Sequence, residues 1–237
     1  MTRPASLLII ILLAALLAQP AALAPLPDMS VLPVTGGTGV TEQITDTLPT
    51  LAAFTAAVKN GEGEQLRGLY VPGILALPVV QQADEDNTFV STQPGEVTQF
   101  GLADMYGTIG LLAHNYLAGA DFFELETGQT IVLVYGDGRL AHYQVQLIER
   151  YQALQPDSPY SSYVNLQTGE QLSTADTFAR IYQGGSRLVL QTCIAADGED
   201  SWGRLFVVAQ PIIPPSPIEM VRQGSSALMA GLAALEF

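Results

Sequence analysis

Two apolar runs separated by a short polar stretch lie near the C-terminal end of the chain. Residues 188–193 and 205–209 are rich in Val, Leu and Phe, and Asp197-Gly198-Glu199-Asp200 lies between them. Gly185 precedes the first run and Pro211 follows the second. Short apolar runs bounded by turn residues are typical of buried β-strands. We therefore predict two buried strands joined by a short connection, as in a hairpin.

A second hairpin is predicted in the middle of the chain. Residues 131–135 and 141–148 carry β-branched and aromatic residues, and Gly136-Asp137-Gly138 joins them with a strong turn signal. Weaker β-type runs, broken by Pro and Gly, lie at residues 68–74, 75–80, 88–92 and 96–100. Many short strands with few helical segments favour a mainly β fold, built as a small closed or half-closed barrel.

Helical periodicity is limited to short segments. Apolar residues recur at helical spacing within residues 48–58, with Thr47 as the expected N-cap. Another short helix, capped by Ser173 or Thr174, is expected in the long connection 152–186. Connections of more than about 15 residues in a compact domain are usually functional or disordered. We therefore expect substrate specificity to lie in this connection.

The N-terminus has the composition of a targeting segment. Arg3 is followed by an apolar run at residues 7–18 and by Ala22-Leu23-Ala24, a small-x-small cleavage pattern. The run is shorter than the about 20 residues that span a bilayer, so a cleaved signal peptide is favoured over an uncleaved signal anchor. We divide the chain into residues 1–24 (signal peptide or signal anchor), 25–62 (Pro/Gly/Thr-rich linker plus short amphipathic helix), 63–212 (catalytic β-barrel) and 213–237 (C-terminal tail).

Charge and cysteine content exclude several classes of function. The formal net charge is -14, which argues against nucleic acid and anionic lipid surfaces as partners because both select for basic patches. Any membrane contact is expected only through the N-terminal segment. One cysteine and two histidines permit no disulfide and no zinc site of the usual spacing, so we expect no metal and no cofactor.

The two histidines have different surroundings. Strand alternation in residues 141–147 directs Tyr143, Val145 and Leu147 to the core and His142 to water. His114 follows the apolar run 107–113 and precedes a loop. A histidine at the end of a buried strand is well placed at a barrel rim, where it is either a satisfied core residue or a catalytic one.

Cys193 and Arg204 become near neighbours if the two C-terminal strands pair antiparallel. A cation beside a thiol favours the thiolate, which is the nucleophilic form. The simpler interpretations are that Cys193 is a small core hydrophobe and that Arg204 forms an ordinary ion pair with Glu199 or Asp200.

These residues resemble a known pattern. Leu190-Gln191-Thr192-Cys193, with Arg204 opening the next strand and Ala113-His114-Asn115 upstream, is similar to the motifs of the sortases, a family of extracellular cysteine transpeptidases. The similarity covers about residues 69–210, and Val189 departs from it where the family usually has threonine. The resemblance implies a mainly β fold, a closed eight-stranded sortase-type β-barrel with short helices.

The resemblance also implies roles for single residues. Cys193 would attack a backbone carbonyl to form a thioester, His114 would act as general acid and then general base, and Arg204 would hold substrate carbonyls or the oxyanion. Thr192, Leu190 and Asn115 would contact the substrate. The implied function is extracytoplasmic: cleavage of an LPxTG-type sorting signal and transfer of the acyl group to an amine at the cell surface.

Two other functions stay open at this stage. The chain is alternatively a non-catalytic secreted β-barrel module, or a thiol peptidase in which water accepts the acyl group. The linker itself contains Leu32-Pro33-Val34-Thr35-Gly36, which matches an LPxTG signal. It is not placed like an ordinary sorting signal, so it is either a tethered pseudo-substrate or an exposed Pro-Gly segment without a role.

Overall fold

The computed structural model describes residues 48–83, 86–158 and 160–213. Within these ranges the strands are β1 (Leu66–Val71), β2 (Leu75–Gln81), β3 (Val97–Phe100), β4 (Thr108–Leu112), β5 (Thr130–Tyr135), β6 (Leu140–Ala153), β7 (Tyr163–Asn165), β8 (Gln171–Leu172), β9 (Arg187–Ala196) and β10 (Glu199–Pro211). The helices are α1 (Leu51–Val58), α2 (Gly101–Asp104), α3 (Thr174–Tyr182) and a 3-10 helix (Ala118–Glu124). The predicted signal segment, most of the linker with its LPVTG sequence, and the tail from residue 214 lie outside the described residues.

Eight of the described strands close into a barrel. Their order is β10-β9-β4-β3-β2-β1-β5-β6, and β6 pairs back with β10. The pairs β2–β3 and β4–β9 are parallel, and the other pairs of the ring are antiparallel. Strands β7 and β8 extend the sheet from the second half of β6, outside the ring. The predicted mainly β fold, a closed eight-stranded barrel with short helices, is confirmed.

Alternation along each strand separates the barrel interior from an outer cluster. On β9, Leu188 and Leu190 belong to the apolar cluster that receives residues from every strand of the ring. Val189 and Cys193 belong to a second cluster, which lies against α3 and β7 and which we call the outer cluster. Its buried members are Val90, Phe100, Ala103, Leu112, Tyr151, Ala153, Tyr163, Phe178, Ile181, Tyr182, Val189, Cys193, Phe206 and Val208. Cys193 therefore lies on the outside of the barrel wall, beneath a cover.

Helix α1 begins later than the sequence pattern predicts. Its N-cap is Thr50, whose hydroxyl accepts a hydrogen bond from the backbone N–H of Ala53 at 3.3 Å; the predicted cap, Thr47, lies outside the described residues. Pro49 disfavours a helical conformation at Leu48, which explains the shift. Among the described residues, none of the helices has the length and apolarity of a membrane span.

The predicted strand at residues 88–92 is wrong. This segment is irregular, because side chains rather than a neighbouring strand satisfy its backbone. The Ser91 N–H donates to the Thr98 hydroxyl at 2.8 Å, and the Gln82 amide donates to the Phe89 carbonyl at 2.8 Å. The segment thereby holds Val90 in the outer cluster.

Strand β6 follows the predicted alternation only in its first half. His142 is exposed and Tyr143 and Val145 are buried, as predicted, but Leu147 is 45% exposed where a core position was expected. In the pairing of β6 with β10, Val145 and Leu147 have consecutive partners on β10, and Gln146 between them has none. Such a bulge reverses the face of every later side chain, which moves Leu147 to the surface.

Candidate active site

Cys193 and Arg204 lie directly opposite each other on β9 and β10. Both side chains are 1% exposed. The Arg204 guanidinium hydrogen-bonds to the Cys193 sulfur, and its Nη1 donates to the carbonyls of Ser201 at 2.9 Å and Gly203 at 2.8 Å. The neighbourhood predicted from the short connection is therefore present, and backbone carbonyls fix the guanidinium against the thiol.

The β9–β10 connection is tighter than the predicted loop. Asp197 and Gly198 turn the chain with positive φ angles of 55° and 80°, and Cys193 lies inside β9, which continues to Ala196. A register shift between Glu199 and Gly203 leaves extra residues on β10. This irregularity turns the Ser201 carbonyl toward Arg204.

His114 reaches the same region from β4. The parallel ladder pairs Leu112 with Gln191, and the Ala113 N–H continues it by donating to the Gln191 carbonyl at 3.2 Å. Continued for two residues beyond Leu112, this offset would set His114 level with Cys193. The imidazole is 5% exposed, hydrogen-bonds to the backbone of Val90, and stacks on Tyr116 at 5.1 Å between ring centroids.

Burial dominates the electrostatics of the thiol and the imidazole. It raises the pKa of Cys193, against the lowering effect of Arg204 and with further raising effects of Asp200 and Glu199. It lowers the pKa of His114. A low-dielectric environment disfavours the charged form of both groups. The thiolate expected from the cation beside Cys193 is therefore not the favoured form in this conformation, in which the thiol and the imidazole are both neutral.

The structure places the three predicted substrate contacts on two different faces. Leu190 belongs to the barrel interior. Thr192 is fully buried, and its hydroxyl lies against Gly119 of the 3-10 helix, on the face of β9 opposite Cys193. Asn115 lies at the rim, where its side-chain amide donates to the Asp200 carbonyl at 3.1 Å. Only Asn115 is brought to the side of the thiol.

Two residues without a predicted role line the site. Val90 hydrogen-bonds through its backbone to His114 and packs in the outer cluster with Cys193. Tyr163 of β7 belongs to the same cluster and is fully buried. The sequence shows Tyr163 only as one of several tyrosines in the long connection 152–186, and nothing in its neighbours marks it.

The similarity of this chain to known proteins lies in the fold. No protein-family model and no curated protein matches the sequence. Sortase A from Corynebacterium diphtheriae is 14% identical with a TM-score of 0.44, over 66% of this chain and 64% of that chain. This chain is similar in fold to the sortases. Sortase C1 from Streptococcus suis is 16% identical with a TM-score of 0.44 (70% and 80% covered), and sortase C-1 from Actinomyces oris is 13% identical with a TM-score of 0.43 (73% and 86%).

This chain spans 64% of the length of the Corynebacterium sortase A. In the described ranges, no group of three or more His, Cys, Asp or Glu side chains is arranged to hold a metal ion.

Proposed function

We propose that the chain is a sortase-like cysteine transpeptidase that works outside the cytoplasm. One observation carries the proposal: Cys193 faces Arg204 across β9 and β10, and His114 hydrogen-bonds to the backbone of Val90, which packs in the outer cluster with Cys193. A nucleophile, a proton carrier and a fixed cation are the groups that acyl transfer through a thioester requires. The targeting features of residues 1–24 support the extracytoplasmic location.

The proposed reaction has two halves. In the first, the Cys193 thiol gives its proton to His114 as the sulfur attacks the threonine carbonyl of an LPxTG-type signal. The C–N bond breaks, His114 protonates the leaving amine, and a thioester remains. In the second, an amine at the cell surface attacks the thioester carbonyl, a C–N bond forms and the C–S bond breaks. His114 accepts the amine proton and passes it to the departing Cys193 sulfur, which leaves the amide product and the free thiol.

Arg204 acts on the oxygen of the reacting carbonyl in this proposal. Its guanidinium is always protonated and is held by two backbone carbonyls, so it needs little reorganisation as negative charge develops. Asn115 is at the rim and is proposed to contact substrate directly. Leu190 and Thr192 act through the position of β9, because their side chains lie on the interior face.

Access to the thiol requires part of its cover to move. Cys193 and Arg204 are each 1% exposed and His114 is 5% exposed. The covering residues come from the irregular segment that contains Val90 and from β7. We propose that peptide binding displaces this cover, so that the neutral pair described above is the resting state.

The burial of Cys193 favours a second candidate, a non-catalytic β-barrel module in which the thiol is a core residue. Incubating the purified protein with an LPxTG-type peptide, with and without an added amine, separates the candidates. A transpeptidase yields the amide product only with amine, and a thiol peptidase yields the free acid in both cases. An intact peptide in both cases, with wild-type protein that is folded, would support the module.

The linker sequence Leu32-Pro33-Val34-Thr35-Gly36 is proposed to act as a tethered pseudo-substrate. Tethering raises the local concentration of a competing sequence and so blocks external peptide. Deleting residues 25–46 is therefore expected to speed turnover of an external LPxTG-type peptide, which a fluorescent peptide assay would measure. The full-length chain with only Leu32 and Thr35 replaced by alanine is the matched control, because it keeps the linker and loses the motif. Equal rates in all forms, without cleavage after Thr35, would exclude a role in cis.

A further inference from the structure

The outer cluster contains fully buried tyrosines whose hydroxyl groups have different surroundings. The Tyr151 hydroxyl donates to Glu149 Oε2 at 2.7 Å, and the Tyr182 hydroxyl donates to Gln191 Oε1 at 2.6 Å. The Tyr163 hydroxyl is equally buried but has no hydrogen-bond partner among the described residues. A buried polar group without a partner costs free energy that an apolar side chain of the same shape would not. Phenylalanine would fill the same space, so the hydroxyl needs an explanation.

The position of Tyr163 in the fold explains why this residue carries a hydroxyl. Its strand, β7, pairs with β6 so that Tyr163 lies opposite Ala153, while β6 places Tyr151 opposite Arg204 of β10. The small side chain of Ala153 leaves space for the Tyr163 ring in the cluster that contains Cys193. Arg204 and Cys193 are the charged and titratable groups that act on the phenol of Tyr163. Its hydroxyl is therefore within electrostatic reach of the thiol and the guanidinium together.

We infer that the Tyr163 hydroxyl donates a hydrogen bond to the Cys193 sulfur when that thiol ionises. A neutral thiol is a weak acceptor, which accounts for the missing partner in the resting state. A thiolate is a strong acceptor, and a hydrogen bond to a charged group is shorter and stronger than one between neutral groups. Burial raises the pKa of Tyr163, so the phenol keeps its proton and remains a donor when the thiolate forms. Tyr163 would then hold the nucleophile together with Arg204.

Other charged and titratable groups also act on this thiol. Arg204, Glu199 and Asp200 of β10 act on Cys193, and Tyr163 of β7, Tyr151 of β6 and Tyr182 of α3 share its cluster. His114, after β4, hydrogen-bonds to Val90 of the same cluster. Arg204 favours the thiolate, whereas Asp200 and Glu199 oppose it. A neutral donor stabilises the thiolate without adding a charge to the buried site, which distinguishes Tyr163 from Arg204.

The test is the ionisation of Cys193 in Tyr163→Phe, measured without peptide. Because the chain has one cysteine, thiolate absorbance and the rate of alkylation by iodoacetamide as functions of pH report on Cys193 alone. The variant is expected to raise the apparent pKa of the thiol by about one unit, which is about tenfold less thiolate at a given pH below it. Thermal stability should stay the same or increase slightly, because the substitution removes an unpaired hydroxyl.

Tyr182→Phe is the matched control, since it removes a hydroxyl that has a partner, Gln191. It should lower thermal stability and leave the ionisation of Cys193 unchanged. The inference is overturned if the Tyr163→Phe titration coincides with that of the wild type, or if both variants shift it equally. The inference rests on the proposed role of Cys193 as nucleophile. If Tyr163→Phe shifts the titration of Cys193 as expected but the wild type turns over no peptide, the proposed substrate is contradicted and the Tyr163 contact is retained.

Discussion

Replacing Arg204 with lysine is expected to slow turnover of a sorting-signal peptide by about 100-fold or more, the usual effect of removing one oxyanion donor. Arg204 hydrogen-bonds at once to the Cys193 sulfur and to the carbonyls of Ser201 and Gly203. A lysine ammonium is a compact point charge and does not reproduce the planar fork that spans these partners. Burial also favours loss of its proton, so the positive charge would be weakened. Steady-state kinetics with a fluorescent peptide measure the effect.

The control for this substitution is Arg139→Lys. Arg139 lies at the β5–β6 hairpin, its side chain is 48% exposed, and its guanidinium lies 3.9 Å from the Tyr135 ring centroid. Surface contacts of this kind contribute little, so turnover should stay within about twofold of the wild type. Thermal unfolding of both variants confirms that each is folded. A folded Arg204→Lys protein with wild-type turnover would remove Arg204 from the proposed mechanism.

The substitution Gly119→Ala, which adds a single methyl group, is expected to destabilise the fold and displace His114. A Cβ at this position would lie 2.7 Å from the His114 carbonyl and 2.9 Å from the Ala113 carbonyl, and still closer to the Thr192 hydroxyl. The Gly119 N–H also donates to the His114 carbonyl at 2.9 Å, so the two segments cannot separate without losing that bond. Overpacking against backbone costs about 1–3 kcal/mol. Chemical denaturation would measure the loss of stability.

Gly101→Ala separates this close approach from a general effect of removing glycine. A Cβ at Gly101 would meet its nearest neighbours, the side chains of Asn87 and Gln82, at 3.8 Å, which is ordinary contact. The free energy of unfolding of Gly101→Ala should lie within about 1 kcal/mol of that of the wild type. Any change should be a gain, because alanine reduces the conformational entropy of the unfolded chain. Turnover should fall in Gly119→Ala and not in Gly101→Ala. Equal stability of the two variants would show that the 3-10 helix yields freely and does not fix His114.

The features that could be predicted from the sequence are local. The Asp-Gly turn specifies the β5–β6 hairpin, and the short connection after residue 193 places Cys193 opposite Arg204. Strand alternation alone also separates Leu190 and Thr192 from Cys193, because the first two occupy even positions of one strand and Cys193 occupies an odd position. The resemblance to a motif, by contrast, predicts all three residues for one site.

Other features depend on contacts between distant parts of the chain. The bulge that exposes Leu147 is visible only in its pairing with Val208, and the backbone of residues 88–92 is satisfied by Thr98 and Gln82. The burial of Cys193 follows from packing with Val90 and Tyr163, which are far from it in sequence. Because burial sets the direction of the pKa of the thiol, the charge state of the site could not be predicted from the cation beside it.

The most direct test of the proposed mechanism is whether Cys193 carries the acyl half of a cleaved peptide. Full-length protein and the form lacking residues 25–46 would be incubated with a panel of five-residue sorting-signal peptides, without an amine acceptor, and examined by intact-protein and peptide mass spectrometry. We expect a thioester adduct on Cys193 in the wild type, a slower adduct in His114→Ala, and none in Cys193→Ala. Peptide cleavage that persists in Cys193→Ala, or a folded wild type that never forms the adduct with any peptide of the panel, would contradict it.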